Sequence, residues 1–386
     1  MQFGFSAEQE ELRTTVRTLL QRAAGSSGGS APPEEQDTPQ AQDHDPRLWS
    51  LLAEQVGAHS LAIPEEYGGA GFSLLETHVV VEELGAALAP LPFLGSAVLV
   101  PQALLTAGDD GACSRLLPGL AGGDQVGALA WAEDSGSWNP ADVTATAESR
   151  PDGGWWLSGT KHHVLDGYWA GILLVAARTT AGVCLFEVDP GAAGVGREPL
   201  TTMDQTRPQA RITLDGAPGR LVGTEGDGTR VLEHVLDLAC VALSAEQVGG
   251  AARCLDMTVD YAKQREQFGR PIGSFQALKH RMADLLMYVE SARSASQAAA
   301  FAAATGSTDL PVLAATAKSY CSEAYFAVAA ETIQIHGGIG CTWEHDAHRY
   351  FKRAQGSTQL FGDPAWHRAR LARDVGITPS ALAGTG

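Results

Sequence analysis

Two stretches of this 386-residue chain carry residue types suited to holding a phosphate. In "DYAKQREQFGRPIGSFQALKHRMADL" (260–285) helical periodicity runs to about Glu266, "FGRPIG" turns the chain, and a second helix begins with Gln276. Arg265 at that turn offers a planar fork of donors that matches a phosphate, and Gln276 adds an amide that both donates and accepts. Standing alone, this stretch reads as a helix hairpin with a solvated arginine. In "QIHGGIG" (334–340) glycines follow a helix, where backbone N–H groups can approach a phosphate with no Cβ in the way. Standing alone, that run reads as a helix C-cap. Acid–base chemistry has fewer candidates. "LDLACVALSAEQVGGAARCLD" puts Ala239, Leu243 and Glu246 at i, i+4 and i+7, on one face of one helix. Glu246 has Ala, Gly and Leu for neighbours, so it is expected to be desolvated with a raised pKa, as suits a general base. The alternative is a buried glutamate paired with Arg253 or with a neighbouring subunit. His162, His163 and His336 read as packing or hydrogen-bonding histidines rather than catalysts.

Those residues need a scaffold, and the texture of the chain changes twice along its length. Ser6 and Gln9 have the form of a capping box ahead of an amphipathic run, and helical patterning holds to about residue 124. It is broken by "GSSGGSAPPEEQDTPQAQDHD", which offers no apolar face, so 26–44 is expected to be a flexible surface loop. From 125 to 228 short β-branched and aromatic runs alternate with Gly, Asp and Pro turns, the pattern of an antiparallel barrel or sandwich. Helical periodicity returns from about Gly228 and holds to about residue 374, with long segments at 229–264, 275–304 and 309–336. The fold class is α+β and multidomain: an N-terminal helical domain (1–124), a middle β domain (125–228) and a C-terminal helical domain (229–386). A formal charge of -18 disfavours nucleic acid and anionic lipid as partners. The six cysteines show no metal-ligand spacing and read as reduced thiols. "MQFGFSAEQEELRT" lacks the apolar core of a signal peptide, and Pro and Gly interrupt the most apolar stretch, so a cytoplasmic protein without membrane insertion is expected.

Taken together and in this order after a β-rich segment, the two phosphate-suited stretches resemble the signatures of the acyl-CoA dehydrogenase family. "IPEEYGGAG" (63–71) and "GTKHHVLDG" (159–167) fall where that family has similar segments, so the resemblance spans nearly the whole chain. It implies a C-terminal four-helix bundle and FAD lying between the β domain and the C-terminal helices, completed by a neighbouring subunit. By that resemblance Arg265 and Phe268 meet the diphosphate and adenine side, and Gln276 also contacts the cofactor. Gln334, Gly337 and Gly338 lie against the pyrophosphate and adenosine. Ala130 to Ala132 match the strand along the flavin ring, Ser137 falls near a phosphate-contacting serine in an altered loop, and Val164 and Leu165 replace an aromatic-to-threonine segment beside the isoalloxazine. Asp237 falls where relatives bind the acyl-CoA.

The family's reaction is α,β-dehydrogenation of an acyl thioester: a carboxylate removes the α-proton, the β-hydrogen passes as hydride to flavin N5, and electrons leave to an electron-transferring flavoprotein. Counting forward from Gln334, the usual glutamate falls on Phe361, ahead of Gly362; the alternative position on the helix before the arginine motif falls on Ala239. Neither side chain accepts a proton. Proton abstraction then moves to Glu246, or Asp363 reaches back, or the chain is a partner subunit in a hetero-oligomer rather than a homo-oligomer. A monooxygenase-type relative needing no such base is the other possibility.

Overall fold

The computed structural model describes residues 4–26, 44–151 and 153–377. Of the expected loop 26–44, residues 27–43 lie outside the described residues. The expected capping box forms: Ser6 N–H donates to Gln9 Oε1 (2.9 Å) and Gln9 N–H to Ser6 Oγ (3.3 Å), opening helix α1 (Ala7–Ser26). The other N-terminal helices are α2 (Pro46–Leu51), α3 (Leu74–Ala86), α4 (Val100–Ala107) and α5 (Asp110–Ala121). The chain packs as two compact units whose division runs through α1 and α3, so helices near in sequence are shared between units.

One unit comprises Thr14–Thr77 and Pro90–Ala239 and holds a seven-stranded sheet. Its strands are β1 (Gly127–Ala130), β2 (Thr146–Ser149), β3 (Trp155–Leu165), β4 (Ile172–Thr179), β5 (Gly182–Val188), β6 (Val195–Pro199) and β7 (Gln209–Val222). β4, β2, β3, β7 and β5 follow one another, and β5 pairs back onto β4, so the sheet closes into a barrel without a free edge in that ring. Most pairings are antiparallel as expected, but β1 and β2 both run parallel to β4. Inward positions of these strands, among them Leu157, Val164, Leu173, Val175, Phe186 and Ile212, form one fully buried core. β3 carries two register shifts, at Leu157/Gly159 and Lys161/Val164. The second places His163 in the left-handed region (φ 55) and turns its ring outward.

The other unit comprises the described parts of Met1–Arg13, His78–Ala89 and Cys240–Gly386. It is built on α6 (Gly228–Gln264), which begins in the first unit, α7 (Gln276–Ala304) and α8 (Leu310–His336), followed by α9 (Ala347–Gln359) and α10 (Pro364–Asp374). These long helices start and stop within two residues of the periodicity-based bounds. Ala251, Cys254, Leu285, Val289, Tyr325 and Val328 make their shared core. Small residues set the spacing: a methyl on Gly249 of α6 would fall 1.9 Å from the Glu82 carbonyl oxygen of α3, and one on Gly250 would fall 2.5 Å from the Tyr325 hydroxyl. Among the described residues α6 alone is long and apolar enough to cross a membrane, and 94% of its apolar window is buried in the fold. Cys113, Cys184, Cys240, Cys254 and Cys321 are buried free thiols, and Cys341 is exposed.

Candidate functional site

The phosphate-suited residues of the helical unit gather at one end of its bundle. α6 stops at Gln264; Arg265 N–H still bonds Tyr261 O (2.8 Å), and Arg265 O accepts from Ile272 N–H (2.8 Å) across a short hairpin of β8 (Glu266–Gln267) and β9 (Arg270–Pro271). Phe268 and Gly269 at its tip both have positive φ (54 and 77), the geometry of a tight two-residue hairpin. That backbone holds the Phe268 ring 92% exposed, leaning edge-on toward Phe275, with Arg270 over the Phe275 face. Arg265 and Gln276, the latter opening α7, are both exposed. Gln334 is exposed on the last turn of α8, and the chain then enters the glycine turn with Gly337 at φ 66. Among the described residues no neighbouring atom lies within 4 Å of where a Cβ would stand on Gly337 or Gly338. Tyr261 and His336 stack with ring centroids 4.4 Å apart, which brings the Arg265 turn and the glycine turn to the same place. An exposed guanidinium, two open glycine backbones and an unsheltered aromatic ring fit a nucleotide diphosphate. The dipoles of α6 and α8, which both end here, leave the attraction to Arg265 and to the backbone N–H groups.

The expected residues of the β unit fit that group less well. Ala130 and Ala132 are buried, as are Val164 and Leu165, and their side chains carry no donor or acceptor. Ser137 donates its hydroxyl to Asp142 Oδ2 (2.6 Å) and its Oγ also accepts from Asn139 N–H (3.2 Å). The neighbouring groove of about 400 Å3 is lined by Glu133, Asp134, Asp142, Ser137, Ser158 and Thr160, and its carboxylates repel a diphosphate. Only backbone groups of this segment are left to meet a flavin ring.

None of the four addresses for a proton acceptor holds a carboxylate without another commitment. Phe361 is 1% exposed in the left-handed region (φ 61), its carbonyl accepting from His367 Nε2–H (2.9 Å). Ala239, on α6 in the first unit, is fully buried, and Asp237 two residues earlier is 3% exposed. Glu246 is 6% exposed, and the expectation of an apolar setting is corrected by Arg353 of α9, whose Nη1 stands 2.9 Å from Glu246 Oε1. The partner expected from the sequence is Arg253; the one found lies far beyond it in the chain, brought in by the packing of α9. Asp363, the residue that was to reach back, instead caps α10 by accepting from Trp366 N–H (2.7 Å).

The histidines behave as packing and hydrogen-bonding groups. His162 pairs with Asp134, and His163 Nδ1 lies 2.9 Å from Gln209 Oε1. His336 donates from Nδ1 to Thr332 O (2.7 Å), and burial holds it below the usual imidazole value. Several partners were not legible in the sequence. Lys161 is fully buried and bonds Glu133 (2.6 Å); burial pushes it down to about 8 despite that carboxylate. Burial raises Glu133 but Lys161, Thr144 and the Ala145 N–H outweigh it, leaving the carboxyl below its ordinary value. Glu133 follows β1 and Lys161 lies within β3, and nothing in their spacing pointed to this pair. Tyr261 had a readable signal: it lies one turn before Arg265.

A helical–β–helical chain with a diphosphate-suited turn at the end of a helical bundle has the make-up of a nucleotide-binding protein. Residues 6–124 match the acyl-CoA dehydrogenase N-terminal domain and residues 226–376 the acyl-CoA dehydrogenase C-terminal domain. The acyl-CoA dehydrogenase IpdE2 of Mycolicibacterium smegmatis is 41% identical over 370 residues, covering 96% of this chain and 99% of that protein. One chain of the ChsE4-ChsE5 complex from Mycobacterium tuberculosis superposes with a TM-score of 0.85 at 31% identity, covering 98% of this chain and 100% of that one. A variant of the Tcur3481-Tcur3483 steroid acyl-CoA dehydrogenase gives 0.81 at 32% identity, with 98% and 99% coverage. The chain belongs to the acyl-CoA dehydrogenase family, FAD-dependent oxidoreductases that act on acyl thioesters.

Proposed function

We propose that this chain is one subunit of a hetero-oligomeric acyl-CoA dehydrogenase. It lends the Arg265 turn, Phe268, Gln276 and the Gln334–Gly338 run to the diphosphate and adenosine side of FAD, and a second acyl-CoA dehydrogenase-like chain supplies the carboxylate. The observation that carries this reading is that Phe361, which the resemblance aligns with the usual base, is buried with its backbone in the left-handed region. The donor-poor segment at Val164 and Leu165 supports it, since a chain that gives up the base has no need of the flavin edge either. Held by these residues, FAD would supply the acceptor for the β-hydrogen as hydride, and the α-proton would be left to a carboxylate of the second chain. The substrate class is an acyl thioester of CoA with Asp237 among its contacts, and the steroid designation of one structural neighbour favours a bulky acyl group. Electrons pass to an electron-transferring flavoprotein in the cytoplasm. The competing reading is a homo-oligomer in which Glu246 is the base; its burial favours that role, and its ion pair with Arg353 opposes it.

Expressing the chain alone and with an acyl-CoA dehydrogenase-like chain that retains the glutamate separates the two. The expected result is substoichiometric flavin and no anaerobic bleaching by acyl-CoAs for the chain alone, and a yellow, bleachable protein for the pair. A stoichiometrically yellow homo-oligomer that acyl-CoA bleaches, and that Glu246→Gln silences while substrate still binds, would transfer the assignment to Glu246.

A further inference from the structure

We infer that Tyr261 and His336 are the positioning pair that sets the spacing between Arg265 and the glycine turn, so that FAD retention depends on their stack; this rests on the cofactor site proposed above. α6 and α8 approach the end of the bundle joined like a ladder. The first rung is polar: Thr258 Oγ1 donates to Thr332 Oγ1 (3.0 Å), and Thr332 Oγ1 also lies 3.3 Å from Cys254 O. The second rung is the Tyr261–His336 stack, with 27° between the ring planes. Residues 258 and 261 share one face of α6 with 265 following in the turn after it, and 332, 336 and 340 recur every four along α8 and the turn after it, so the rungs lie in register.

Beyond the second rung both helices end. The Arg265 N–H bonds the Tyr261 backbone carbonyl (2.8 Å), and Gly340 packs where a methyl would come within 3.1 Å of His336 Cβ, so backbone ties each site residue to its ring residue and the ring stack joins the two. The His336 ring cannot swing freely: Nδ1–H is fixed on Thr332 O, and His345 closes its other side at 4.3 Å between centroids. The ring is 3% exposed and its Nε2 has no partner among the described residues, so stacking, rather than hydrogen bonding by that nitrogen, is what the ring supplies. Loss of either ring leaves the guanidinium and the glycine N–H groups intact but uncoupled, and a bidentate grip on a diphosphate requires both at a fixed separation.

The test uses the assembled, flavin-loaded protein, stripped of FAD and titrated with FAD by flavin fluorescence, beside thermal melts of the stripped form. His336→Ala and Tyr261→Ala are each expected to weaken FAD binding about three- to tenfold, the span of a ring pair's contribution. His336→Phe and Tyr261→Phe, which keep the stack, should bind within about twofold of native, and the double alanine variant should be no weaker than the worse single one. Native affinity in both alanine variants, additive losses in the double variant, failure of phenylalanine to rescue, or losses that merely follow the melting point of the stripped protein would each overturn the pair's role. If His336→Ala does not fold, the two Tyr261 variants decide. Arg265→Ala is the reference: an effect there without one at the ring pair removes this inference and leaves the cofactor site standing, whereas no effect at Arg265 removes the site itself.

Discussion

At the scale of single residues, the two positions on which the proposed chemistry turns are both buried, and burial makes them expensive to alter. Placing a carboxylate at Phe361 puts a charge at a position 1% exposed, with the backbone already held left-handed and its carbonyl committed to His367. Phe361→Glu is therefore expected to lose about 3–5 kcal/mol of stability, the scale of an uncompensated buried charge, and to gain no acyl-CoA-dependent flavin bleaching. Denaturant midpoints and anaerobic titration read the two halves of that statement; a stable variant that bleaches would mean that the site had merely lost its base. Glu246 and Arg353 form a second buried commitment. Glu246→Leu alone removes the carboxylate that faces the buried guanidinium and should cost about 3–5 kcal/mol, whereas Glu246→Leu with Arg353→Met should recover most of the loss. Equal losses in the single and double variants would show that the pair contributes little beyond its shape.

Glycine sets the spacing of some elements and leaves others open, and Gly249 and Gly338 make opposite predictions. Gly249 lets α6 close on α3, and its missing methyl would collide with a backbone carbonyl that cannot retreat without moving a helix. Gly249→Ala should cost about 1–3 kcal/mol by overpacking, seen as a lower melting temperature with or without flavin. Gly338 borders open space, so Gly338→Ala should melt as native does. Its methyl instead occupies the approach to the backbone N–H groups, and flavin retention should fall. A Gly338→Ala protein that melts early but keeps its flavin would make Gly338 a structural glycine and take it out of the cofactor site. The same logic of elements explains Asp363: a residue two places past the base address serves as the N-cap of α10, an end that helix needs whatever chemistry the loop performs.

At the scale of the whole molecule, buried neutral histidines in both units link folding to pH. Burial pushes His59 and His78 down to about 4 and His367 to about 3, from 6.5 in the open chain. Between those values the unfolded chain binds protons that the folded one refuses. Stability is thus fully present above pH 6.5 and is lost as pH falls toward 4, by about 1.4 kcal/mol per pH unit for each such histidine. His367→Gln, whose amide can still donate to Phe361 O, should reduce the steepness of the melting-temperature decline in that range; an unchanged slope would mean that His367 charges freely in the native state. The sequence by itself determined the order of helical, β and helical segments, the ends of the long helices and the capping box at Ser6. All of these rest on local signals: periodicity, turn chemistry and residue type at a fixed spacing. It could not determine that β1 and β2 run parallel to β4, that the units share α1, α3 and α6, that Glu246 faces Arg353 rather than Arg253, or that Lys161 is buried on Glu133. Each of those is a pairing between distant positions, chosen by which packed arrangement leaves no buried charge or strand edge unmet, and only the tertiary structure makes that choice.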